Sequence, residues 1–150
     1  MATIEGNAAH IPDATFRPKI QKCLDLLRDK AGAYSTWFNS YNLKIRAAAI
    51  SGANFGDNAI DIAPNTFAQS ETWLASVIIH ESIHFWQYKT GKYQAGEVAE
   101  TEANRYQLCV LKLIGAPKNE IEHMQSQDGK HADRDGDGKY TEEDYRRRDY

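Results

Sequence analysis

Three residues of this chain, His80, Glu81 and His84, have the types and the spacing for metal-assisted hydrolysis. They form the string His80-Glu81-Ser82-Ile83-His84 inside the apolar run from Trp73 to Trp86. On a helix, positions four apart lie one above the other, so both imidazoles leave the same face and can grip one metal ion. Zinc suits the pair, because imidazole is a borderline ligand and two or three protein ligands leave a coordination position open to water. Water held there loses a proton near neutral pH. Glu81, beside it, can take that proton as general base and later hand it to a leaving amine. The chemistry indicated is hydrolysis of a peptide bond.

These side chains need a helix beneath them and a second element opposite. Ser70 is a natural N-cap, Glu71 suits the positive end of a helix, and Gly91 after Thr90 marks the close. The next helix runs from Glu97 to Ile114, is ended by Gly115 and Pro117, and must supply the third ligand. It offers Glu100 and Glu102, which point about 200° apart. Glu102 shares the richer apolar stripe with Ala99, Tyr106, Cys109 and Leu113, where an unpaired carboxylate would be costly. Glu100 shares its face with Asn104, Gln107 and Leu111, so a polar neighbour one turn on could support it. On these grounds the two stay nearly even.

The strings His80-Glu-Ser-Ile-His84 and Glu100-Thr-Glu-Ala-Asn104-Arg-Tyr together resemble the gluzincin metallopeptidases, most closely the minimal members. In that family the first helix bears HExxH and the second bears a glutamate ligand four residues before an Asp or Asn. The resemblance, confined to residues 59–114, implies His80, His84 and Glu100 as zinc ligands, Glu81 as base and Asn104 behind the ligands, with Glu102 the alternative third ligand. Many relatives carry Asp where this chain has Asn104. It implies an α+β, zincin-like fold, mainly helical with a small antiparallel sheet. A donor for the oxyanion is also expected, and among Tyr88, Tyr93, His123 and His131 the named choices are Tyr93 and His123.

The remaining segments frame this pair of helices. The first dozen residues look irregular. Ile20, Cys23, Leu24 and Leu27 recur at three and four, which predicts a helix from Phe16 to Ala31 with Asp13 or Thr15 as cap, Pro18 in the first turn and Gly32 as the stop. Tyr34 to Tyr41 reads either as a short helix or as an extended link, its aromatics lining core or cleft. Residues 43–50 and 59–63 alternate as strands around a glycine and asparagine loop, which suggests an antiparallel pair. The strand from Ala59 to Ala63 is expected to align an extended peptide substrate by strand addition. Residues 119–127 read as a last helix with Ile121 and Met124 inward.

Beyond residue 127 the composition shifts. Asp133, Asp135 and Asp137 stand at alternate positions, Gly138 follows, the Lys139 carbonyl comes next and Asp144 closes a twelve-residue span. That is the spacing of a calcium loop, in which oxygen ligands surround a hard cation and a glycine permits the turn. The loop resembles those of EF-hand and dockerin modules, with Asp144 where the bidentate glutamate usually stands. A single loop implies a structural brace rather than a sensor. The expected division is a zincin-like domain over residues 1–127 and a calcium loop with a C-terminal helix over 128–150.

Charge and composition narrow the class. The net charge of −3, with 41% hydrophobic and 26% charged residues, is that of an ordinary globular protein and shows no basic face for nucleic acid. No stretch reads as a secretory signal or a membrane span, so a soluble chain is expected, and the calcium loop hints at an extracytoplasmic place of action. Cys23 and Cys109 are expected to be buried free thiols. The partners implied are a peptide or protein substrate and, in one alternative, an inhibitor or immunity protein. That alternative is a secreted bacterial toxin or effector of the same chemistry, acting on cell-wall peptide or host protein. The other is a non-catalytic, calcium-braced binding module.

Overall fold

The computed structural model describes residues 2–94 and 96–127. The calcium-loop residues Asp133, Asp135, Asp137, Lys139 and Asp144, and His131, lie outside the described residues.

The described chain is mixed α and β, with helices predominating. Helix α1 (Asp13–Lys30) buries Phe16, Ile20, Cys23 and Leu27, one stripe at helical spacing. It starts three residues earlier than the periodicity indicates. Pro12 stands at the N-cap, and Asp13 in the first turn accepts a hydrogen bond from the Gly6 amide at 2.9 Å and pairs with Arg17. Pro18 therefore lies inside the helix rather than in its first turn. A Cβ on Gly6 would sit 2.2 Å from the Asp13 Cα, so only glycine lets the N-terminal segment approach. Helix α2 (Gly32–Asn39) settles the aromatic segment as helical, with Phe38 in the core.

Four strands form one sheet: β1 (Thr3–Glu5), β2 (Lys44–Ala47), β3 (Gly52–Asn54) and β4 (Ala59–Ile62), in the order β1-β2-β4-β3. The expected antiparallel pair is parallel, with Lys44 opposite Ala59 and Ala47 opposite Ile62. The reversal happens later, because Gly52–Asn54, read as loop, is itself a strand that pairs antiparallel with β4. The chain crosses from one side of β4 to the other between β2 and β3, then turns back through residues 55–58. Asn58 there has φ of 52°, Asn54 Oδ1 accepts from the Asp57 amide at 3.0 Å, and Arg46 donates to Asp57 and Asp61. The first residues, expected to be irregular, add β1 parallel to β2. The sheet is thus mixed. Its core strand β4 is paired on both sides, which removes the free edge on which substrate alignment along Ala59 to Ala63 depended.

After a short helix α3 (Pro64–Phe67), helix α4 (Glu71–Lys89) passes through the centre of the molecule. Every residue from Trp73 to Phe85 is buried, which explains why the segment is apolar apart from its serines and the site residues. Ser70 caps it as expected, accepting from the Trp73 amide at 3.1 Å, and the Glu120 carboxylate accepts from the hydroxyls of Ser70 and Thr72. Helices α5 (Glu97–Leu113) and α6 (Lys118–Gln125) follow, with Met124 buried and Ile121 packed against the core. Helices α4 and α5 end in the same way. Gly91 and Gly115 each have φ of 70°, and the next residue's amide returns to a carbonyl in the last turn: Lys92 to Gln87 at 2.8 Å, Ala116 to Leu111 at 2.9 Å. None of the helices among the described residues is long and apolar enough to cross a membrane.

Candidate metal centre

The helical spacing of His80 and His84 brings their Nε2 atoms to 3.2 Å of each other on one face of α4. Glu100, in the first turn of α5, completes a triangle. Its Oε2 lies 3.1 Å from His80 Nε2 and its Oε1 3.1 Å from His84 Nε2. All three side chains are buried, Glu100 at 4% exposure, and they form a group able to hold a metal ion. A tetrahedral ion with bonds of about 2.0–2.1 Å has ligand-to-ligand edges of about 3.3 Å. The observed edges of 3.1 to 3.2 Å come within a few tenths of that value.

Electrostatics point the same way. Burial alone would pull the His84 imidazole down, yet the Glu100 carboxylate, helped by Glu81 and Gln87, lifts it above the ordinary histidine value. A buried carboxylate between two imidazole nitrogens is a site that favours a cation.

Glu100 rather than Glu102 meets the histidines, and the face of α5 explains why. Of the stripe of Ala99, Tyr106, Cys109 and Leu113 only Ala99 is buried: Cys109 is exposed and Leu113 is 53% exposed. The buried face carries Ala99, Glu100, Ala103, Asn104, Gln107, Val110 and Leu111. It is partly polar because α4 opposes it with polar groups, as where Gln107 donates to Ser76 Oγ at 3.0 Å. Glu102 stands aside, half-buried, and accepts from Gln87 Nε2 at 2.9 Å. The same orientation of α5 corrects the reading of the thiols, since Cys23 is buried and Cys109 is not.

Glu81 is fully buried and lines a cleft of about 530 Å³ with His84, Glu100, Tyr93 and the residues of β3. Tyr93 stands edge-on to His84 with ring centres 5.7 Å apart. His123, the other expected oxyanion donor, packs on Trp73 near the start of α4 and does not line that cleft. Tyr88 stacks on Phe55 at 4.3 Å and is largely exposed. Asn104 is buried one turn beyond Glu100, and its carboxamide makes no hydrogen bond among the described residues.

Sequence reasoning missed Gln87. Its Oε1 lies 2.8 Å from His84 Nδ1, and its Nε2 reaches Glu102 and the Ala99 carbonyl. The signal that could have found it was a polar residue three positions past His84 in an otherwise apolar run, on the ligand side of the helix. No family model, characterised protein or solved structure matches the chain.

Proposed function

We propose that this chain is a zinc-dependent peptidase of the minimal gluzincin kind. The observation that carries the reading is the buried triangle of His80, His84 and Glu100 with Glu81 lining the same cleft. Two imidazoles and one carboxylate are the donor set of catalytic zinc sites with an open position. When bound, zinc acidifies a water ligand and polarises a carbonyl oxygen.

The chain's own groups do the rest. Glu81, buried beside the ligands, accepts the proton of the attacking water and returns it to the departing amine nitrogen. Tyr93 supplies a hydroxyl from the cleft wall for the developing oxyanion. The sheet order leaves β3 at an edge, and β3 lines the cleft, so the extended substrate pairs with Gly52–Asn54 rather than with β4. Calcium held by Asp133, Asp135, Asp137, the Lys139 carbonyl and Asp144 remains part of the proposal on the strength of its spacing alone.

The test is an elemental count on purified protein combined with peptide hydrolysis. One zinc per chain is expected in the native protein. Glu81→Gln should keep fold and zinc while turnover falls by about 10²–10⁴-fold, because only the proton carrier is lost. Absence of zinc, or unchanged turnover in that variant, overturns the mechanism.

A further inference from the structure

The carboxamide of Gln87 is buried and touches groups on two helices. We propose that Gln87 is a positioning residue that fixes the tautomer of His84, and so the nitrogen whose lone pair faces the ion. The inference rests on the zinc reading above.

The argument begins at α5. Gln87 Nε2 donates to the Ala99 carbonyl at 3.1 Å and to Glu102 Oε1 at 2.9 Å. A main-chain carbonyl has lone pairs and no hydrogen, so the amide nitrogen must face it. The carboxamide is therefore held with its oxygen toward His84. Oε1 lies 2.8 Å from His84 Nδ1, and an oxygen there can only accept, so Nδ1 carries the hydrogen. A neutral imidazole protonated on Nδ1 has its lone pair on Nε2. That is the atom 3.1 Å from Glu100 and 3.2 Å from His80 Nε2. The other tautomer would turn an N–H toward the ion and exclude it.

The same side chain links two ligands. Ala99 immediately precedes Glu100, so the bond to its carbonyl ties the ligand-bearing turn of α5 to the histidine of α4. Glu102 thereby serves as the acceptor that helps hold the amide. The Gln87 main chain has a separate task, its carbonyl accepting from the Lys92 and Tyr93 amides. Substituting the side chain leaves that closure in place, which makes the side-chain role separable.

The test compares zinc affinity by chelator competition in the wild type, Gln87→Met and the double variant Gln87→Glu with Glu102→Gln. Methionine keeps the length and removes every hydrogen bond, and zinc should bind about 10–100-fold more weakly. The double variant keeps an oxygen for Nδ1–H and reverses the pair between positions 87 and 102, the new amide at 102 donating to the new carboxylate at 87, while the bond to the Ala99 carbonyl is lost; it should recover about tenfold of that loss. In the zinc-loaded protein, the His84 Nδ1–H proton should give a slowly exchanging NMR signal in the wild type and double variant, and none in Gln87→Met. Equal affinity in wild type and Gln87→Met, or no recovery and no protected signal in the double variant, overturns the assignment. Should Gln87→Met not fold, the double variant decides alone by its affinity and its Nδ1–H signal. A wild-type protein that takes up no zinc instead overturns the peptidase reading, so the two failures are distinct.

Discussion

Glu100 and Glu102 are two residues apart, yet only one can face α4, and the difference should be measurable. Glu100→Gln removes the negative charge lying between two imidazoles and should weaken zinc binding by more than about 100-fold, beyond the usual cost of losing an outer partner. Glu102→Gln still offers an oxygen to Gln87 Nε2 and should cost about tenfold or less. Chelator competition on both variants checks the order. The two cysteines differ as sharply. Cys23 is fully buried, and burial pushes its thiol up to about 12. A thiol reagent at neutral pH should therefore titrate one group, Cys109, in the native protein and the second only after unfolding.

At the scale of elements, the helix ends matter most because they set where the His80, His84 and Glu100 group and the cleft wall meet. Gly91 and Gly115 both have φ of 70°, and a methyl group at either position would meet only open space, so alanine there costs backbone strain alone. Each substitution should destabilise by about 1 kcal/mol, which lowers Tm by roughly 2–4 °C. They should differ in function. The turn at Gly91 leads straight to Tyr93, whose amide is held by the Gln87 carbonyl at 3.0 Å. Gly91→Ala should accordingly reduce turnover as well as Tm, while Gly115→Ala, at the far end of α5, should lower Tm only. Thermal melts with parallel peptide assays separate the two.

For the molecule as a whole, the candidate metal site sits where the two principal helices meet, so an ion held there would be coupled to folding. Its side chains come from α4, which passes through the core, and from the first turn of α5. Zinc at a thousandfold excess over its Kd should add about 4 kcal/mol to stability. Chelation should then lower Tm by on the order of 10 °C. A melting curve unmoved by chelator would mean that no ion is held by His80, His84 and Glu100.

The string from His80 to His84 was legible because its geometry is local: a helix of 3.6 residues per turn puts His80 above His84 whatever surrounds it. The caps at Ser70, Gly91 and Gly115 were legible for the same reason, since each depends on neighbours a few residues away. Sheet order was not, because Gly52–Asn54 lacks alternation and becomes a strand only by pairing with β4. The choice of Glu100 was not settled by apolar periodicity either. The buried face of α5 is partly polar, and α4 made it so by presenting Ser76, His84 and Gln87 to it. Local spacing therefore determined which chemistry the chain could carry. Long-range packing decided which carboxylate meets the histidines, which strand edges the cleft and which groups hold the Gln87 amide, because those depend on partners far away in the sequence.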